Sequence, residues 1–347
     1  MKKLILLSSM LTTSSMASEV TIPNNFQANT PAVAADVNEN FQALMEAIND
    51  NNERIEELEA LVSVLQDNTV LDLDGVLRLD TVDGFDTAVF EAVNLQVING
   101  DGTTNGSSNG LGNVVIGYLE QGSAAPFFCS TNNEFFDDET GCLNDGGAWE
   151  QNVHTGSHNL VLGVEQSFTS HGAIIGGARS TVTNDYSSVI GGLGNSAIGR
   201  FSSVTGGMLN IASGDQSNVS GGSSNLASGN EAHIGGGQFN LASGTRSGVY
   251  GGNSNEATGF LSVITAGRIN HASGEGSSVS GGSFNHASGQ LSSITGGSSN
   301  DATGINSSVT GGTNNTASGA ASAVSGGNSR SATGTDDWAA GSLNEGN

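Results

Sequence analysis

From residue 189 onward the chain repeats one pattern of apolar and polar positions. Val or Ile recurs every 15 residues, at Val189, Val204, Val219, Ile234, Val249, Ile264, Val279, Ile294, Val309 and Val324, inside blocks that read SSVxGGxxNxA[ST]Gxx. Within a block apolar and hydroxyl residues alternate: Val204 stands between Ser203 and Thr205, and Ala212 precedes Ser213. An alternation of period 2 predicts short, half-buried strands. A fixed short repeat predicts a solenoid, whose units stack because none can bury its apolar face alone. A 15-residue block is too short for a helix pair, but at about 3.3 Å per residue it holds two short strands and two turns. The expected fold is therefore mainly β, a flat parallel β-roll with one block per rung and the Val/Ile column as its core. The paired glycines (Gly206 with Gly207, Gly221 with Gly222, Gly281 with Gly282) and the single Gly214, Gly229, Gly244 and Gly259 read as corners that take positive φ.

Upstream the period changes. In VNENFQALMEAINDNNERIEELEALVSVLQDN, Phe41, Ile48, Ile55 and Val62 fall at a positions and Val37, Leu44, Asn51, Leu58 and Leu65 at d, with alternating 4 and 3 spacing. This predicts a coiled coil over residues 34–69. The alternative, an amphipathic helix packed on its own chain, fits less well because the positions outside the seam are almost wholly polar. Ile or Val at a with Leu at d points by the simple rule to a dimer. Two details point to a parallel trimer instead. RIEELE, Arg54 to Glu59, resembles the trimer-specifying pattern in which Arg at g and Glu at the following e bridge neighbouring chains over the seam of Ile48, Ile55 and Leu58. Asn51 adds a polar d layer, which costs stability and fixes register. Between coil and roll, DTAVFEAVNLQVING alternates apolar and polar residues and leads through NGSSNG into NVVIGYLE, a pattern of strands carrying the chain from the coil into the roll.

Composition explains why the core must be built from stacking. A chain of 347 residues with 52 Gly, 3 Pro and 5% aromatic residues is too sparse in large side chains for a conventional globular core and too regular for disorder. The net charge of −25, with both lysines at Lys2 and Lys3, excludes nucleic acid and anionic lipid as partners, since both need dense positive charge. Lys2 and Lys3 precede the apolar LILL and a run of small residues ending at Ala17, the pattern of a secretory signal peptide. The apolar run is far below the roughly 20 residues of a bilayer span, and no later segment is long enough, so no membrane span is expected in the mature chain. Export to the periplasm, cell surface or medium suits the two cysteines, Cys129 and Cys142, which can pair in an oxidising compartment. The chain divides into a signal peptide (1–17), a linker (18–33), the coil (34–69), a β connector (70–120), an insert with the disulfide (121–155), the roll (156–341) and a tail (342–347).

Little in the repeat is reactive. His154, His158 and His171 suggest a metal site, but HTGSHN contains Gly and turn formers where an HxxxH site needs a helix. His271 and His286 share one column in adjacent rungs and read as solvated. No Asp column follows the glycine pairs as a calcium-binding roll requires. No nucleophile is partnered by a base. The expectation is a non-enzymatic protein without metal or cofactor. Ser213, Ser228, Ser243, Thr258, Ser273, Ser288, Thr303, Ser318 and Thr333 form a hydroxyl column, which gives an alternative expectation of ice binding.

With these parts the chain resembles the trimeric autotransporter adhesins, specifically the YadA-like head joined to a coiled-coil stalk. The motifs SSVIGG, SSVTGG and NLASG match the family's SVAIG- and AxG-type repeats in kind, over residues 156–341 for the head and 34–69 for the stalk. Asn51 at d is similar to the Asn layers of such stalks, where three amides surround an anion. The resemblance implies a left-handed parallel β-roll, a homotrimer, and a role in surface adhesion or as a structural spacer, with an unspecified extracellular surface or matrix ligand. Two features depart from the family. The stalk precedes the head, and the final DDWAAGSLNEGN lacks the alternating lipid-facing strands of a membrane β-barrel anchor, so self-export through an anchor is not expected.

Overall fold

The structure, a computed structural model, describes residues 20–66, 73, 76–121, 128–129, 139–144, 149–341 and 343–345. The expected signal peptide (1–17) lies outside the described residues. The chain divides into two compact units, Met1–Leu95 and Gln96–Asn347.

The first unit contains a 33-residue helix, α1 (Ala34–Gln66). Its first turn carries Asp36, an anion at the positive end of the helix dipole. The Val33 carbonyl accepts the first N–H groups, from Asp36 at 3.1 Å and Val37 at 3.2 Å. The preceding segment folds back on the helix: Asn24 N donates to Asn40 Oδ1 at 2.8 Å and Asn40 Nδ2 returns to the Asn24 carbonyl at 2.7 Å. Two strands follow, β1 (Leu77–Val82) and β2 (Phe85–Phe90), paired antiparallel with Leu77 opposite Phe90 and Val82 opposite Phe85. Of the strands expected to lead from the coil into the roll, DTAVF pairs back in this hairpin, whereas Val114–Ile116 does join the larger solenoid sheet. Asp83 and Gly84 both have positive φ, 51° and 85°, as a two-residue hairpin turn requires, so the alternation in DTAVF is used up against LRLDTV, and residues 91–100 contain no strand.

The second unit is a parallel β-solenoid of about 12 turns. Its two sheets have 15 and 12 strands. In the larger, Ser203 and Val204 pair with Asn218 and Val219; in the smaller, Ile211 and Ala212 pair with Leu226 and Ala227. Single bridges such as Met208 with Ser223 and Ser223 with Gln238 connect a third column between the sheets. The 15-residue register holds from Val189 onward, whereas Val161, Ile175 and Val189 pair at steps of 14. The solenoid begins earlier than the repeat: Val114–Ile116 pairs in parallel with Leu160–Leu162, so the cysteine-bearing insert interrupts the first turn. Within the insert, Cys142 lies on the short helix α2 (Glu139–Asn144), is 3% exposed and is disulfide-bonded; the chain's one other cysteine is Cys129. At the far end Trp338–Ala340 continues the larger sheet and Leu343–Glu345 pairs with it antiparallel, which occupies an edge that would otherwise template further strands.

The interior is narrow. Every Val or Ile from Val189 to Val324 and every Ala from Ala197 to Ala332 in the paired column is at most 1% exposed. Asparagine completes the core. Asn195, Asn210, Asn225, Asn240, Asn255, Asn270, Asn285, Asn300 and Asn315 are each at most 1% exposed, where an unpaired amide would be costly. Asn210 shows how the amides are satisfied: its Nδ2 donates to the carbonyls of Gly206 and Gly222, both at 3.0 Å, and its Oδ1 accepts the backbone N–H of Asn225 at 3.1 Å. One side chain thus holds its own corner and ties it to the next rung.

The corners are not built as the glycines suggested. In every pair from Gly176–Gly177 to Gly311–Gly312 only the second residue has positive φ, for example Gly207 and Gly222 at 88°, and in the last pair both Gly326 and Gly327 do. The single glycines are not in that region, and their role is spatial: a Cβ on Gly214 would stand 2.0 Å from the Gly229 carbonyl oxygen. The other left-handed positions fall in two columns of mostly non-glycine residues, Phe201, Gln216, Glu231 and Arg246 in one and Leu209, Ser224, Phe239 and Ile269 in the other, with φ between 54° and 59°. Cross-rung bonds hold them there, such as Leu209 N–H to the Leu193 carbonyl at 2.9 Å. Such a conformation is strained for an L-residue, and repeated stacking enforces it.

Candidate functional site

Three sets of side chains are presented for interaction: the seam of α1 and the outer faces of the two solenoid sheets. On α1 the expected seam is apolar and uncovered within one copy. Phe41 is 66% exposed, Ile48 49%, Ile55 51%, Leu58 56% and Val62 49%. Asn51 and Arg54 are half-buried and Glu59 is exposed. A helix with such a stripe in water is incomplete without a partner surface.

On the solenoid the period of 2 sends alternate residues outward. Outside the smaller sheet, Ile211, Leu226 and Leu241 stack in one column; in the following rungs the same column becomes Glu256, His271, His286, Asp301 and Thr316. Outside the larger sheet, Thr265, Ser280, Thr295, Thr310 and Ser325 are exposed in one column, flanked by the half-buried Ser278, Ser293 and Ser308. This array of small neutral hydroxyls is flatter in composition than the one singled out from the sequence. Of that column, Ser213, Ser228, Thr258, Ser273 and Ser288 are half-buried. Thr258 Oγ1 and Ser273 Oγ lie 3.1 and 3.3 Å from Nε2 of His271 and His286, so imidazoles already engage part of it. The better array was legible as the fourth residue of SSV[ST], but which hydroxyl column stays exposed depends on the fold.

The histidines are dispersed. His154 Nε2 lies 2.8 Å from the Gln166 carbonyl, His158 Nε2 lies 3.3 Å from Asn99 N, and His171 Nδ1 lies 3.2 Å from Asp185 Oδ1. They do not converge, and among the described residues no group of His, Cys, Asp and Glu could hold a metal ion. His271 and His286 do meet, as rings 5.0 Å apart and 17° from parallel. The His271 pKa is lowered by partial burial, then by the neighbouring His286, against an opposing pull from Glu256. Among the described residues no helix is long and apolar enough to cross a membrane.

No family model and no curated protein matches the chain.

Proposed function

We propose that this chain is an exported, non-enzymatic homotrimer of the trimeric autotransporter adhesin type, with a left-handed roll as its head and a coiled coil as its stalk, acting in surface adhesion or as a structural spacer. The observation that carries the reading is the α1 seam, an apolar stripe at heptad spacing that one copy leaves in water. Arg54, Glu59 and Asn51 select three parallel chains over two. The solenoid supplies a repetitive hydrogen-bonding surface, and the Ile211, Leu226 and Leu241 column gives neighbouring copies an apolar strip to bury. Cell fractionation combined with protease treatment of intact cells tests the assignment. Protein recovered outside the cytoplasm and cleaved at the surface supports it; protein confined to the cytoplasm overturns it.

A second reading is ice binding, favoured by the neutral hydroxyl array from Thr265 to Ser325 on the larger sheet. Its test is thermal hysteresis of the purified protein, with Thr295→Tyr expected to abolish it. Absence of hysteresis in the unmodified chain removes this reading.

A further inference from the structure

Where the solenoid begins, a polar cavity of about 380 Å³ opens between three segments of the second unit. Asn105 and Ser108 contribute from the preceding loop, His171 from one corner, and Asp185 from the corner one rung later. The volume falls in the range of small-ligand sites, the mouth is wide open to solvent, and the walls are amides, hydroxyls, one carboxylate and one imidazole. We propose that this cavity binds a neutral saccharide.

The geometry is held in place before any ligand arrives. Tyr186 Oη donates to Asn105 Oδ1 at 2.6 Å and ties the loop to the corner. The Tyr186 ring stacks on Phe201 at 5.5 Å and 7° and meets His171 edge-on at 5.1 Å and 87°. His171 is 7% exposed, its Nδ1 faces Asp185, and its Nε2 has no partner among the described residues. Asp185 Oδ1 accepts the Ser170 hydroxyl and faces the imidazole, and the Asp185 side chain remains 40% exposed. A carboxylate oriented through one oxygen and still open to solvent, beside amide and hydroxyl groups that both donate and accept, matches the vicinal hydroxyls of a sugar ring. The chemistry also selects against charge. Asp185 and the net charge of −25 repel acidic sugars and phosphorylated ligands, and one carboxylate is too few for tight calcium binding.

Every lining residue comes from one copy. The purified chain is titrated in saturation-transfer NMR with a panel of methyl glycosides of glucose, galactose, mannose and N-acetylglucosamine and their neutral disaccharides. Transfer is expected to at least one ring. Asp185→Asn should weaken it at least tenfold, and Ser108→Trp, which fills the cavity from the loop, should abolish it with the melting temperature unchanged. Absence of transfer to every sugar, transfer that survives Ser108→Trp, or calcium binding at Asp185 without sugar binding would overturn the proposal.

Discussion

Asn255 illustrates what holds a rung when large side chains are scarce. Its Nδ2 donates to the carbonyls of Gly251 at 3.0 Å and Gly267 at 2.9 Å, while its Oδ1 accepts from Asn270 N at 3.0 Å. Oδ1 also accepts from Asn270 Nδ2 at 3.1 Å, so Asn255→Ala removes four bonds at once in a site closed to water. The Gly267 carbonyl keeps the Asn253 N–H at 2.9 Å, which leaves the Gly251 carbonyl and Asn270 N–H stranded; at about 1–3 kcal/mol each, a loss of about 2–6 kcal/mol is expected, read as a lower denaturation midpoint at constant slope. Ser277 gives the contrast. Its hydroxyl is buried without a partner among the described residues, and Ala232 already occupies the same column. Ser277→Ala should therefore be neutral or slightly stabilising. A large loss there, or none at Asn255, would contradict this account of the core. His271 adds a pH dependence. Its folded-state pKa lies below the ordinary value, so just below that value the unfolded chain binds more protons than the folded one. Its contribution to stability is thus fully present above the ordinary histidine range and lost as pH falls through the lowered value. In a melting series against pH, His286→Gln should reduce that loss.

At the scale of the element, the strands were legible because alternation of period 2 is a local signal, and Val204 between Ser203 and Thr205 carries it in full. The asparagine column was written just as plainly, one per block, yet the sequence suggested only a polar position, since its meaning lies in carbonyls 4 residues before and 12 after. The glycines misled for a related reason: Gly214 is needed for the approach of the next rung, a distance that no single block reveals. The hairpin of β1 and β2 was signalled by Asp83-Gly84, which the longer alternation around it obscured. Interchangeability of the blocks makes a sharp prediction. Deleting Ser277 to Leu291 removes one whole rung, about 4.8 Å of stacking, and should leave the remaining rungs folded. Deleting only the first 7 of those residues breaks the asparagine and Val columns together and should lower stability by several kcal/mol. Equal damage from both deletions would show that the blocks are not equivalent rungs.

At the scale of the whole molecule, one copy carries two units that are satisfied to different degrees. The solenoid satisfies its interior rung by rung, whereas α1 leaves Phe41, Ile48, Ile55, Leu58 and Val62 exposed. The heptad spacing of that seam is a sequence property, and in the proposed assembly the residues at its margin set how many chains cover it. In the proposed trimer, Arg54→Ala should loosen the assembly by removing a bridge to Glu59 of a neighbouring chain. The most direct test is sedimentation equilibrium of residues 18–347 over a range of concentrations. Three times the chain mass is the predicted result; a monomer, or a dimer at every concentration, would contradict the account.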